Sequence, residues 1–302
     1  MKVVMFSGQG AQKMGMGKEF YDNFDICCQT FDEASEALKM DVAKLCFEEE
    51  SRDLLNQTAY AQPALLTVSI AAYRLLASRD FTPDLLMGLS LGEYTALTAA
   101  EVIQFADAVK LVHKRGQIMT EFAKPGGMVA AMGLACDVLE EICKNAENIG
   151  FAACANFNTP EQIVLAGEFA AIEYCTAEIK KAGGKAIPLK VSGPFHTPLL
   201  ADAAAKFEEE LNKLLVSPPK IPVISNLTAE LFHMEYFTTN LTRHMVSPVR
   251  WVECVEKAIS LGTEEFIELG CGKTLVNFVK KINPTGKTLS IENLNDLEGY
   301  CE

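Results

Sequence analysis

The chain has 302 residues, 49% hydrophobic and 22% charged, with 27 Lys and Arg against 40 Asp and Glu, a formal net charge of −13. That length fits one large domain carrying a small one, and the balance excludes a disordered or collagenous chain and argues against general binding to nucleic acid or anionic lipid. Ten cysteines with no C-x-x-C pair and no Cys/His group at zinc spacing read as reduced thiols, and no stretch approaches the ~20 apolar residues of a membrane span. We therefore expect a cytoplasmic protein without a metal site.

Residues 2–6 have the composition of a short buried strand and run into a Gly-rich loop over 7–17. Pro63, at the tolerated first-turn position, opens a helix over 64–76. A second buried strand over 85–87 passes through GLSLG at 88–92 into a helix over 93–100, so strand, tight turn and helix meet at Ser90. Another helix spans 101–120. From 126 the pattern is β-α-β-β-α-β, with strands over 128–134, 151–155, 162–166 and 186–191 and helices over 137–145 and 170–182. This is the split βαβ of ferredoxin-like folds. Gly126-Gly127 and Ser192-Gly193-Pro194 read as hinges, so residues 125–191 are expected as a small domain inserted into a discontinuous α/β domain of 1–124 and 192–302. A helix over 200–215, a strand over 223–226, a helix over 252–261, a strand over 265–269 and a helix over 275–281 complete the chain.

Nucleotide motifs fail at defining positions. Gly8-Gln9-Gly10 is followed by Lys13 where G-x-G-x-x-G needs its third glycine, and Gly272-Lys273-Thr274 has Ile267 where a phosphate-binding loop needs its first. The string G-x-S-x-G at 88–92 arises by chance roughly 0.1 times in such a chain, but its place between a buried strand and a helix is that of a nucleophile elbow. The helix start beside Ser90 supplies free N–H groups for developing negative charge. A serine nucleophile needs a base. Among the four histidines, His113 sits beside Lys114 and Arg115, and His233 and His244 lie in polar stretches that read as surface. His196, held between Pro194 and Pro198, is the candidate. In the helix over 101–120, Arg115 shares a face with Phe105, Ala108, Val112 and Met119. It either snorkels to water, pairs with a fixed carboxylate, or awaits an anionic ligand.

With FSGQGAQ at 6–12, QPALLT at 62–67, GLSLGEY at 88–94 and KRGQIM at 114–119, the chain resembles the malonyl-coenzyme A:acyl carrier protein transacylases. ANFNTPEQIVLAG at 155–167, GPFHTPLL at 193–200, SPVRW at 247–251 and ELGCGKTL at 268–275 extend the resemblance over nearly the whole length. It implies a hydrolase-like α/β domain with an inserted ferredoxin-like domain, and a ping-pong transfer of malonyl from malonyl-CoA to the pantetheine thiol of acyl carrier protein, supplying fatty-acid synthesis. No cofactor is implied beyond the coenzyme A thioester substrate, and a monomer is expected. By the same resemblance Ser90 is the nucleophile, His196 the base, and the main-chain N–H groups of Gln9 and Leu91 the oxyanion hole. Arg115 binds the malonyl carboxylate, Gln62, Asn158 and Phe195 contribute to the pocket, and a main-chain carbonyl in SPVRW, that of Arg250, orients the histidine. Phe195 before the histidine is the pairing associated with malonyl rather than methylmalonyl. Two residues depart from the family: Leu89 stands where histidine is common before the nucleophile, and Cys271 where proline is usual. A serine esterase or thioesterase shares the nucleophile and base and is the rival reading; a carboxylate-binding Arg115 discriminates against it.

Overall fold

The structure is a computed structural model that describes residues 1–301. Two four-stranded sheets organise it. The first is wholly parallel, in the order β2 (Leu85–Gly88), β1 (Lys2–Phe6), β7 (Glu265–Leu269), β8 (Lys287–Ile291). Its central strands are covered on both faces, which is why β1 reads as a near-continuous apolar run, whereas β7 also buries Glu265 and Glu268. Val3 and Met5 pack toward Trp251, Val255 and Leu275, whereas Val4 and Phe6 pack toward Leu65, Leu66 and Leu97.

The second sheet is antiparallel, in the order β4 (Ala152–Thr159), β5 (Gln162–Gly167), β3 (Gly127–Met132), β6 (Lys185–Pro188). With the helices Cys136–Asn145 and Phe169–Lys181 between its strands it is the ferredoxin-like arrangement. Val129, Ala131, Ile163 and Leu165 face those helices, while Met128, Ala130, Val164 and Ala166 on the other face join the main core. Strand alternation thus turns one side of the small sheet toward the parallel sheet's helices.

Some local expectations are corrected. The helix expected from 64 begins earlier and spans Thr58–Ala77, with Pro63 inside it. The helix expected over 101–120 is Phe105–Glu121, and that expected over 200–215 is a short 3₁₀ turn, Pro198–Leu200, continuing as Ala201–Leu211. Residues 223–226 form no strand. Val223 makes a single parallel bridge to Leu86, because the main chain of Leu86 is shared between Pro222 and Ile224 before the segment turns back toward Leu231. Strand β8 was not expected from the sequence.

Candidate active site

Ser90 occupies the turn between β2 and helix Leu91–Ala99 with φ 54° and ψ −99°, a conformation that a non-glycine residue adopts only under constraint. Two glycines make the turn sterically feasible. A Cβ on Gly88 would lie 2.1 Å from the Gly92 carbonyl, and one on Gly92 would lie 2.0 Å from the Phe6 carbonyl oxygen. The side chain of Asn226 clamps the turn from outside: Oδ1 accepts the Ser90 N–H at 2.7 Å and Nδ2 donates to the Gly88 carbonyl at 2.8 Å.

Ser90 Oγ lies 2.8 Å from His196 Nε2. His196 is buried on the loop before Pro198, at φ 60°, and its Nδ1 is 2.9 Å from the His244 carbonyl oxygen. A carbonyl only accepts, so Nδ1 carries the proton and Nε2 faces Ser90 as a bare acceptor. Burial, reinforced by the charge of Arg115, lowers the His196 pKa to about 4, against a smaller upward pull from the carbonyls of His244 and Ser247. The imidazole is therefore neutral at pH 7 and able to take a proton.

The orienting carbonyl belongs to His244, which corrects the assignment to Arg250. Helix Phe237–Met245 ends there, and a helix leaves its last carbonyls without intrahelical donors. The Arg250 carbonyl instead accepts the Cys254 N–H at 2.9 Å as the first bond of helix Trp251–Ser260, and its guanidinium pairs with Glu253. His244, read from the sequence as a surface residue, is fully buried.

Arg115 is 1% exposed yet lines the same cavity as the dyad. Nη1 donates to Gln62 Oε1 at 2.8 Å, and the guanidinium lies 4.9 Å from the centre of the Tyr94 ring. Nε and Nη2 have no hydrogen-bond partner. These two nitrogens form one edge of the guanidinium fork, the geometry that binds a carboxylate through two parallel hydrogen bonds. Of the three sequence-level alternatives, water and a fixed carboxylate are answered by burial and by this open edge. Gln62 stands behind Arg115 and is wholly buried, its Nε2 3.6 Å from Met119 Sδ; it holds the arginine and is not part of the cavity wall.

The cavity has a volume of about 600 Å³ and is lined by Gln9, Ser90, Arg115, Asn158, Phe195 and His196, together with the apolar side chains of Leu89, Met119, Met128 and Val164. Gln9 is tied down through Nε2, which donates to Thr58 Oγ1 at 3.1 Å. Leu91 is the first residue of its helix, so its N–H is among those a helix leaves unserved. Asn158 is brought to the wall by β4, whose register shifts at 154/156 and 157/159, and its Oδ1 has no partner. Sequence reasoning missed Asn226, His244 and Glu93. The first had a signal, a polar Ser225-Asn226 pair ending an apolar run, and so did Glu93, the one carboxylate in an otherwise uncharged helix.

Fold and site together define a class, an α/β enzyme of acyl transfer. Known proteins narrow it. The acyl transferase domain matches residues 3–287. The malonyl CoA-acyl carrier protein transacylase of Bacillus subtilis (strain 168) is 40% identical over 299 residues, covering 97% of this chain and 94% of that protein. The crystal structure of malonyl CoA-acyl carrier protein transacylase from Clostridium perfringens superposes with a TM-score of 0.95 at 41% identity, covering 99% of this chain and 96% of that one. A malonyl-transacylase solved in complex with a type II PKS acyl-carrier protein gives a TM-score of 0.95 at 34% identity, covering 98% and 97% of the two chains. The chain belongs to the malonyl CoA-acyl carrier protein transacylase family.

Proposed function

We propose that this chain moves a malonyl group from malonyl-CoA to the pantetheine thiol of acyl carrier protein through an ester on Ser90, supplying fatty-acid synthesis. The observation that carries the reading is the open Nε/Nη2 edge of buried Arg115 in the cavity that holds Ser90 and His196. An esterase for neutral acyl groups has no use for a desolvated cation there.

In the first half-reaction Ser90 Oγ attacks the thioester carbonyl while its proton passes to His196 Nε2. The N–H groups of Gln9 and Leu91 take the oxyanion, Arg115 holds the far carboxylate, and Asn158 and Phe195 shape the wall. Collapse breaks the carbon–sulfur bond, and the departing coenzyme A thiolate takes the proton from His196. In the second half-reaction the carrier thiol gives its proton to His196 and attacks the ester. Ser90 leaves as alkoxide and takes the proton back. Side chains and main chain suffice for this cycle, with coenzyme A entering only as part of the substrate.

The cavity lies between the two sheets, and on this reading residues 125–191 are a domain that closes over the ester, inserted between 1–124 and 192–302. We place the enzyme in the cytoplasm as a monomer. What supports the location is six buried unpaired thiols, at Cys27, Cys46, Cys143, Cys175, Cys254 and Cys271. No helix among the described residues is long and apolar enough to cross a membrane.

Intact mass tests the proposal. Mixing with malonyl-CoA should add one malonyl unit to the chain, acyl carrier protein should remove it, and Ser90→Ala should abolish the adduct. An unmodified wild-type chain under donor excess, or an adduct that survives in Ser90→Ala, would overturn it.

A further inference from the structure

Glu93 lies at the junction of the two anchors that set the dyad. It is wholly buried three residues past the nucleophile. Its Oε2 accepts the Asn226 N–H at 3.1 Å, and the Asn226 side chain is what holds the Ser90 turn. The same Oε2 lies 3.3 Å from Nδ1 of His244, and the His244 carbonyl is what orients His196. The His244 ring also lies beneath the His196 imidazole, centroids 5.0 Å apart and planes inclined by 32°. Neither ring nitrogen of His244 makes a hydrogen bond, and the Glu93 carboxyl at Nδ1 is a polar contact this buried ring keeps on that side. Two separate elements, the segment after the Val223 bridge and the end of helix Phe237–Met245, thus meet at one carboxylate oxygen.

From this geometry we infer that Glu93 is a positioning residue for the dyad: one oxygen sets the anchor of the nucleophile and the anchor of the base, and so the Ser90–His196 distance. The inference rests on the acyl-transfer reading of the site. Glu93 touches no reacting atom, and its effect passes through Asn226 and His244. A residue that served only to complete the core would alter how much protein folds, not how fast a folded copy is acylated.

The test is rapid-quench acylation by malonyl-CoA read by intact mass, which separates the maximal rate, the half-saturating donor concentration and the loadable fraction. Glu93→Met keeps most of the volume and removes the acceptor. It should lower the maximal rate per loadable site by about 10- to 100-fold, the scale of a small misplacement of reacting groups, with half-saturation unchanged. Glu93→Gln can place its amide oxygen where Oε2 was, and should recover to within about fivefold of wild type. His244→Leu keeps the orienting carbonyl but removes the ring that Glu93 contacts, and should slow acylation about 3- to 10-fold. It decides the matter alone should Glu93→Met fail to fold. Wild-type maximal rates in either Glu93→Met or His244→Leu, or a Glu93→Gln as slow as Glu93→Met, overturn the inference. Labelling by a fluorophosphonate, which needs an aligned dyad but no malonyl carboxylate, separates the two levels. If wild type takes no malonyl yet the variants keep the expected order with this probe, the functional reading falls and the positioning role stands.

Discussion

A guanidinium removed from water keeps its charge, so Arg115 carries an unmet demand for an anion that Gln62 and Tyr94 only partly answer. Each hydrogen bond to a charged group contributes about 1.5–3 kcal/mol, so losing two in the bound acyl donor should cost at least about 10²-fold in kcat/KM. Arg115→Ala should therefore lower kcat/KM for malonyl-CoA by that factor and leave acetyl-CoA transfer unchanged or improved, because acetyl has no carboxylate. Steady-state assays with both donors check this, and equal losses would remove the grip from the mechanism. At this scale side-chain type and local spacing were enough to single out Ser90, His196 and Arg115, which the fold brings to one cavity. The orienting carbonyl was not. Every residue has one, and only the end of helix Phe237–Met245 decides that the carbonyl of His244, rather than that of Arg250, is free to accept.

Elements were legible where one driving force dominated. The inner parallel strands are buried on both faces and the small sheet alternates, so both announce themselves in the apolar pattern. Strand β8 does not, since KTLSI sits at the sheet edge with its first three residues partly or fully exposed. Helix Thr58–Ala77 was misread at Pro63 because a proline inside a helix removes one N–H, here the donor for the Ala59 carbonyl. The fold replaces it: His113 Nδ1 donates to that carbonyl at 2.7 Å, while Nε2 of the same ring lies 3.0 Å from Gln117 Nε2. The contact is possible because Gly116 lets the two helices touch, a Cβ there falling 2.5 Å from the Ala59 Cα. That seam also sets Arg115 beside Gln62. We expect His113→Phe, which fills the space without donating, to destabilise the fold by about 1–2 kcal/mol. Adding Pro63→Ala should restore most of it by returning the helical N–H. Urea unfolding of the two single variants and the double variant tests the coupling, and additive effects would show that the proline and the histidine are unrelated.

At the scale of the whole molecule, four buried groups tie stability to pH in opposite senses. Burial holds His196 down to about 4 and His244 well below 6.5, and pushes the carboxyls of Glu93 and Glu268 up to about 7. The unfolded chain takes protons on these histidines below about 6.5 and the folded chain refuses them, so their contribution to stability falls as pH drops through that value. The glutamates act in the opposite sense: the folded chain binds their protons below about 7 and the unfolded chain only near 4.5, so they add stability on acidification and lose it as pH rises through 7. Between about 6.5 and 4.5 the two pairs oppose each other; below that window the glutamate contribution is complete and constant, and only the histidine contribution goes on falling until the folded imidazoles take their protons. Glu268→Gln isolates one contribution, since an amide oxygen still accepts the Val276 N–H that Glu268 Oε2 takes at 2.9 Å. Relative to wild type the variant should lose stability as pH falls from 7 toward 4.5, by up to about 1.4 kcal/mol per pH unit. Above 7 the difference should shrink or reverse, because wild type must then bury a carboxylate that the variant lacks. Urea midpoints for both proteins at pH 5, 6, 7 and 8 measure the difference, and a constant offset across that range would mean that the Glu268 carboxyl titrates alike in the folded and unfolded chains.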